Sequence, residues 1–538
     1  MDSSHASSDP KENLPNIFII GVDGGTFEII DQGVKEGKLP TFKKLMEKGT
    51  YGKLESVIQP LTAPAWASFL TGQNPGKHGI FDFYIQRKES YERRPVNAGD
   101  IPTKTFYEIL SDNKRKVCII NVPMTYPPKK VNGYVISGML TPKGRRYAFP
   151  PNLQKKLYSL DYEIEIGEAY SGHNKESFVR NIEKLLKQRK KTLFYLIDKE
   201  EWDLLVCVFR GTDIISHAFW GNKDAILKEY KKIDEILKDL LQRIDENVIL
   251  IVMSDHGFGQ EKRVVHLNTW LAQQGLLNFI SATKTSLKKL LFHHNFTPDR
   301  IWELVSKTRT LYKLVAKDLG TRNLMASHFF LSYSDVDWKK TLAYAFGSVG
   351  SWGLIYINKE GKTPQGTVKP GEECENLKLK LTNKLFQLRD TETGEKVVDK
   401  IYQKERIYSG KFVENAPDII VKWKDGYITY PFFAGGGKIF TDSPQTRTGN
   451  HRMYGILFVH GSNVVENKII KEARIIDLAP TILHIMKTPI PRDMDGRVLK
   501  EVFEKNSEYA KRKITYEEAN KEKERIMKKI KRLKYRAH

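Results

Sequence analysis

The chain has 538 residues, with 88 Lys+Arg against 65 Asp+Glu and a formal charge of +23. That length exceeds what one hydrophobic core usually serves, about 250–300 residues, and predicts one large α/β domain carrying a substantial insertion. Hydrophobic residues at 40% and aromatics at 11% exclude a disordered chain, and no apolar run nears the roughly 18–20 residues needed to span a bilayer. The basic excess favours an anionic partner: a small phosphate ester, nucleic acid or a membrane surface. Cys118, Cys207 and Cys374 share no metal-ligand spacing and read as buried thiols of a reducing compartment. The polar opening MDSSHASSDPKEN lacks the apolar segment of a signal peptide. These features predict a cytoplasmic protein.

Taken in order, residues 1–14 read as a disordered tail. NIFIIGVDGG at 16–25 is a short apolar run ending in Asp and two glycines, which predicts a buried strand and its exit loop. The same pattern recurs in VCII at 117–120 before Asn121, DLLVCVF at 203–209 before Arg210-Gly-Thr-Asp, VILIVM at 248–253 before Ser-Asp-His-Gly, and GILFVHG at 455–461. Amphipathic Lys-rich stretches such as 176–197 lie between them at helical spacing. Strands alternating with helices predict a mostly parallel sheet covered on both faces, with ligands outside the carboxyl ends of the strands.

A core is therefore expected over 15–275 and 447–505. An α+β cap is expected over 276–446, with helices near 284–292 and 298–318 and a β-leaning part at 341–361. A basic charged tail is expected over 506–538.

Asp23, Asp213 and Asp255 each fall just after an apolar run. Asp213 and His217 are four apart, so they share one face of a helical turn. Asp255 and His256 are adjacent, which suits an irregular loop allowed by Gly257 and Gly259, and His451 lies in a Gly-containing loop before an apolar run. Carboxylates and imidazoles in this number suit zinc, with manganese as the harder alternative.

The ordered set Asp23, Thr62, Asp213-x-x-x-His217, Asp255-His256 and Gly-Asn-His451 resembles the type I phosphodiesterase/nucleotide pyrophosphatase branch of the alkaline phosphatase superfamily. LTAPAWASFLTGQNPGKHGIFDF at 61–83 is similar to that branch's nucleophile segment: Thr62, Pro64, Thr71, Gly72, Pro75, His78, Gly79 and Ile80 match without a gap. The resemblance implies an alkaline phosphatase-like sheet sandwiched by helices and two divalent metal ions roughly 4 Å apart. It assigns Asp213, His217 and His451 to one ion. Asp23, Asp255, His256 and the Thr62 oxygen go to the other. Thr62 would be the nucleophile, forming a phosphothreonine intermediate, and the Ala63 backbone N–H a donor to the phosphoryl group.

The chain departs from that branch at Phe83, where an Asn usually contacts a phosphoryl oxygen, and at Trp66, where His is frequent. Lys77, Asn121 and Arg210 are candidate replacement donors. His78, His266 and Asn268 are expected to be structural. A sulfatase is excluded because Thr62-Ala63-Pro64-Ala65-Trp66 lacks the Arg of the Cys/Ser-x-Pro-x-Arg sequence. The favoured function is hydrolysis of a phosphodiester. The alternatives are a phosphomonoesterase or phosphomutase acting on a small phosphorylated metabolite, or a nucleic-acid or anionic-surface binding protein on an inactive hydrolase scaffold.

Overall fold

The computed structural model describes residues 14–87, 89–167, 169–294 and 330–517. At its centre five strands run parallel in the order Val248–Met253, Asn16–Val22, Leu204–Phe209, Val117–Val122 and Gly133–Ser137. Each apolar run foreseen in the sequence is one of these strands or their neighbour Tyr454–His460. The latter joins antiparallel to Val248–Met253 on one side and to Gly49–Glu55 on the other, an orientation the apolar pattern does not encode.

Alternate residues of the central strands enter two separate cores, because successive side chains point to opposite faces. Ile17, Ile19, Val206 and Ile251 pack with helices Thr62–Thr71, Phe106–Asp112 and Leu478–Ile485. Phe18, Ile20, Cys207 and Val252 pack with Phe27–Lys35, Lys175–Lys199 and Lys223–Leu241 on the other face. Burial on both faces explains why these strands read as unbroken apolar runs.

The cap contains an antiparallel sheet ordered Ala343–Ala345, Trp352–Ile357, Ile419–Trp423 and Val398–Gln403. Helix Glu372–Phe386 buries Leu381 and Leu385 among the apolar residues of this sheet. A ten-residue strand, Gly257–His266, ties core to cap. Its first residues pair with Gly449–Arg452, and its later ones with Gly426–Tyr430 and Phe440–Asp442. This strand overturns the reading of Gly257 and Gly259 as loop glycines. A Cβ at Gly257 would lie 2.0 Å from the Tyr454 carbonyl, so glycine there serves close packing of neighbouring strands.

Helix Thr283–His293 matches the first cap helix expected, whereas 298–318 lies outside the described residues. Beyond position 506 the chain still packs on the core. Tyr509 is buried beside Phe503, its carbonyl accepts from His484 Nε2 at 2.8 Å, and Tyr516 bridges to Ile490. The rest of the expected basic tail, from 518, lies outside the described residues, as do residues 1–13. Among the described residues, no helix is long and apolar enough to cross a membrane.

Candidate active site

Three strand ends deliver the site. Asp23 follows Asn16–Val22, and its N–H donates to Phe209 O while its own carbonyl accepts from Thr212 Oγ1. Asp213 and His217 stand one turn apart on helix Gly211–Phe219, which begins just after Leu204–Phe209. Asp255 and His256 occupy the short link after Val248–Met253. His451 lies in strand Gly449–Arg452 rather than in a loop, where its pairing with Phe258 sets it beside the other ligands.

Thr62 is the first residue of a helix in which all ten residues are buried. Pro64 is tolerated in its first turn, where backbone N–H groups have no intrahelical partner. Gly72 at φ 66 ends it in a left-handed cap. Trp66 drives this helix onto the sheet: a Cβ at Gly21 would meet its ring at 2.7 Å. The indole thus fills core space under the site.

Two clusters result. Asp213 Oδ1 lies 3.3 Å from His451 Nε2 and 3.5 Å from His217 Nε2. His256 Nε2 lies 3.3 Å from Asp255 Oδ2, 3.8 Å from Asp23 Oδ1 and 3.3 Å from Thr62 Oγ1. Ligand atoms of Asp23, Asp213 and His256 also fall within 4.8 Å of one another, so Asp213 stands between the clusters.

The imidazole tautomers are set by backbone carbonyls. Nδ1 of His217 donates to Gly449 O (2.9 Å), that of His451 to Pro60 O (3.1 Å), and that of His256 to Gly257 O (3.2 Å). A carbonyl only accepts, so each Nδ1 carries a proton and each Nε2 is the nitrogen turned toward the cluster. Those of His217 and His451 face each other across 3.0 Å. Burial, then nearby Arg447, pushes His217 down to about 4, and burial, then His256, lowers His451 further. Both Nε2 atoms, with Asp213 Oδ1 beside them, suit a shared cation. Buried oxygens Asp23 Oδ1, Asp213 Oδ1 and Asp255 Oδ2 have no hydrogen-bond partner. Burial, then neighbouring carboxylates, raises Asp23 well above its usual range and Asp255 to about 7. Orphaned carboxylate oxygens and inward imidazole nitrogens fit divalent cations.

His78 has the opposite tautomer. Its Nδ1 accepts from the Ile80 N–H at 3.1 Å, so Nε2 donates to Ser68 Oγ at 2.8 Å. It is a structural residue within the core. His266 bonds Thr441 and lines the cleft; Asn268 links Tyr333, Ala345 and Pro431 and so pins cap segments together.

The three donors offered in place of the missing Asn fare differently. Lys77 lies past the far end of helix Thr62–Thr71, which is about 14 Å long at 1.5 Å per residue. Its Nζ is held by Asp495 Oδ1 (2.6 Å) and Asp493 O (2.8 Å), which removes it from the cleft. Asn121 is buried within the sheet and donates to Val208 O at 3.0 Å, so it too is structural. Arg210 borders the cleft, with each guanidinium nitrogen engaged by a carboxylate. Phe83 packs against the core cluster and lines the cleft, and Asp82 accepts from Ser348 N (2.9 Å), Ser348 Oγ (2.7 Å) and Gln59 Nε2 (3.1 Å).

Sequence reasoning missed Glu165 and Glu261. Glu165 pairs with Arg210 at 2.6 Å. Glu261 accepts from Arg447 and Asn450, the latter beside His451. Neither has a spacing to any ligand that would mark it in advance. The cleft itself measures about 1560 Å³ and is lined by Thr62, Ile166, Tyr170, His217, His266 and Thr441 among others.

The fold is alkaline phosphatase-like. Residues 17–432 match the family described as type I phosphodiesterase / nucleotide pyrophosphatase, and the chain belongs to that family of phosphoester hydrolases. In fold it is similar to phosphonoacetate hydrolase from Sinorhizobium meliloti 1021 (TM-score 0.57, 13% identity, covering 88% of this chain and 95% of that one). It is also similar to human ectonucleotide pyrophosphatase / phosphodiesterase 5 (TM-score 0.51, 12% identity, covering 91% and 100%). Among curated proteins, the catalytic subunit of human GPI ethanolamine phosphate transferase 3 is 29% identical over 65 residues, 12% of this chain and 6% of that protein. GPI ethanolamine phosphate transferase 2 of Kluyveromyces lactis is 24% identical over 103 residues, 19% of this chain and 12% of its own length. The chain thus spans only a small part of these transferases.

Proposed function

We propose that the protein is a metal-dependent phosphoric ester hydrolase with Thr62 as nucleophile and a phosphodiester as preferred substrate. The observation that carries this reading is the gathering of three imidazoles and three unpartnered carboxylate oxygens into two adjoining clusters, with Thr62 Oγ1 lying 3.3 Å from His256 Nε2 in the second. Asp213, His217 and His451 would hold one divalent cation, and Asp23, Asp255, His256 and Thr62 Oγ1 a second. Zinc suits this mixed set, with manganese as the harder alternative. Bound there, the cations supply the positive charge that lowers the hydroxyl pKa and offsets charge on the phosphoryl oxygens.

The chain does the rest. Helix Thr62–Thr71 fixes Oγ1 at its N-terminus, where partnerless N–H groups, Ala63 among them, and the helix dipole favour an anionic phosphoryl group. Oγ1 gives its proton to solvent and bonds phosphorus as the bond to the leaving oxygen breaks; that oxygen takes a proton from solvent as it departs, leaving phosphothreonine. Water then breaks the Oγ1–P bond and restores the hydroxyl. A cleft of about 1560 Å³ leaves room for a group on each side of the phosphate, which favours a diester. The unpaired, buried Cys118, Cys207 and Cys374 suit a reducing compartment such as the cytoplasm.

Turnover of bis-p-nitrophenyl phosphate and p-nitrophenyl phosphate by chelated protein, with zinc or manganese restored, tests the reading beside Thr62→Ala. Metal-dependent cleavage lost in Thr62→Ala is expected, faster on the diester. Preference for the monoester would move the assignment to a phosphomonoesterase or phosphomutase. Absence of both turnover and metal binding would favour an anionic-surface or nucleic-acid binding protein instead.

A further inference from the structure

Arg210 touches both metal clusters from behind. Its Nε lies 3.0 Å from Asp23 Oδ2 and its Nη2 3.3 Å from Asp213 Oδ2, while Nη1 lies 2.6 Å from Glu165. The side chain is 9% exposed. In both aspartates the oxygen bonded to Arg210 is the outer one. The inner oxygens, Asp23 Oδ1 and Asp213 Oδ1, are the buried atoms without a hydrogen-bond partner. One planar guanidinium therefore orients one ligand from each cluster so that its remaining oxygen faces the cation position. Its fork geometry lets it hold several carboxylates at fixed angles, which a lysine ammonium cannot do.

The electrostatics point the same way. Asp23, Asp213 and Asp255 bring three carboxylates into one buried volume. The fixed positive charge of Arg210 favours the ionised form of the two it touches, and Glu165 pairs with its remaining nitrogen.

Resting on the metal-site reading above, we infer that Arg210 is a positioning residue shared by the two metal sites, so that the affinities of both depend on this one clamp. Loss of an outer partner of a metal ligand typically lowers affinity about 10–100-fold. Here the loss should fall on both sites together.

The test is a zinc titration of metal-stripped full-length protein against a chromophoric chelator, with unfolding followed in parallel. Wild type is expected to bind two equivalents. Arg210→Met should lose about 10–100-fold in affinity at both sites, and Arg210→Lys should recover no more than one of them. If Arg210→Met does not fold, Glu165→Gln carries the test, with both affinities expected to fall about tenfold. Wild type binding two zinc ions while these variants lose affinity at one site only, or at neither, overturns the shared clamp and leaves the metal reading standing. Wild type that binds no zinc overturns both.

Discussion

Asp255 in the core and Asp418 in the cap are both fully buried, yet their surroundings are opposite. Asp418 sits 2.7 Å from Lys359 and 3.2 Å from Lys404. Burial alone would raise its pKa, but Lys404, Lys362 and Lys359 outweigh burial and hold it below the usual carboxylate range. Asp390, also in the cap, takes two bonds from Arg263, at 2.9 and 3.0 Å. Asp255 faces other carboxylates and the His256 imidazole, and burial raises it to about 7. The buried carboxylates of the cap are neutralised by protein side chains, Lys359 and Lys404 from the cap itself and Arg263 from the strand that joins it to the core. The core leaves a buried negative cluster to be neutralised by something that enters. That contrast sets the carboxylates neutralised by neighbouring side chains apart from those proposed to bind cations, with no reference to any relative.

The largest expected effect is on chemistry. Thr62→Ala should lower metal-dependent turnover by about a thousandfold or more, because no second nucleophile stands at the helix N-terminus. Its melting temperature should barely move, since the lost contact is one hydrogen bond to His256.

A matched pair of substitutions would break or sharpen the comparison itself. Asp418→Asn strands Lys359 and leaves buried Lys404 with Glu414 alone, and should destabilise the protein by about 3 kcal/mol, read as a lower urea midpoint with or without metal. Asp255→Asn keeps an acceptor for the Gly24 N–H and removes one of three crowded charges. In chelator it should melt no lower than wild type. It should also lose the stabilisation of about 2.7 kcal/mol that one site confers at a hundredfold excess of ligand over Kd. Equal destabilisation of the chelated protein by both changes would show that the two environments are not distinct.

The histidines offer the next comparison. His78, opposite in tautomer to the metal-facing rings, has its pKa depressed by burial to about 3. Protonation would set a donor against the Ile80 N–H. The unfolded chain binds the proton near pH 6.5 and the folded one near 3, so the stability present above pH 6.5 is lost as pH falls toward 3. Between pH 7.5 and 5 this one residue should account for about 2 kcal/mol, at 1.36 kcal/mol per unit. Urea midpoints of wild type and His78→Asn at the two pH values check this: the variant should show the shallower dependence.

The parallel core was legible because burial on both faces leaves uninterrupted apolar runs, three of them followed by an aspartate of the cluster. Asp23, Asp213 and Asp255 could be placed for that reason. The direction of Tyr454–His460 was not legible, since pairing direction leaves no trace in an apolar run. Strand Gly257–His266 was hidden because its glycines, required by close neighbours, mimic loop composition. Arg210 was visible as a charge beside a ligand, but its partner Glu165 lies 45 positions earlier in an irregular segment, and only the folded chain brings them together. The cap's neutralised pairs were equally silent, because Lys359, Lys404 and Asp418 are ordinary charged residues until they are buried together.

The smallest expected effect lies at the seam between the two regions. Ser348, from the cap, donates both its backbone N–H and its hydroxyl to Asp82, next to Phe83 in the nucleophile segment. Ser348→Ala keeps the backbone bond and removes the hydroxyl bond to a buried carboxylate, a loss of about 1.5 kcal/mol. Neither residue touches the ligand clusters, so kcat should hold. Ser348 and Phe83 both line the cleft, however, and a looser seam should raise KM for the diester several-fold. A fall in kcat with KM unchanged would mean that the cap acts on the reacting groups themselves, and the division into a charge-bearing core and a neutralised cap would have to be redrawn at Asp82.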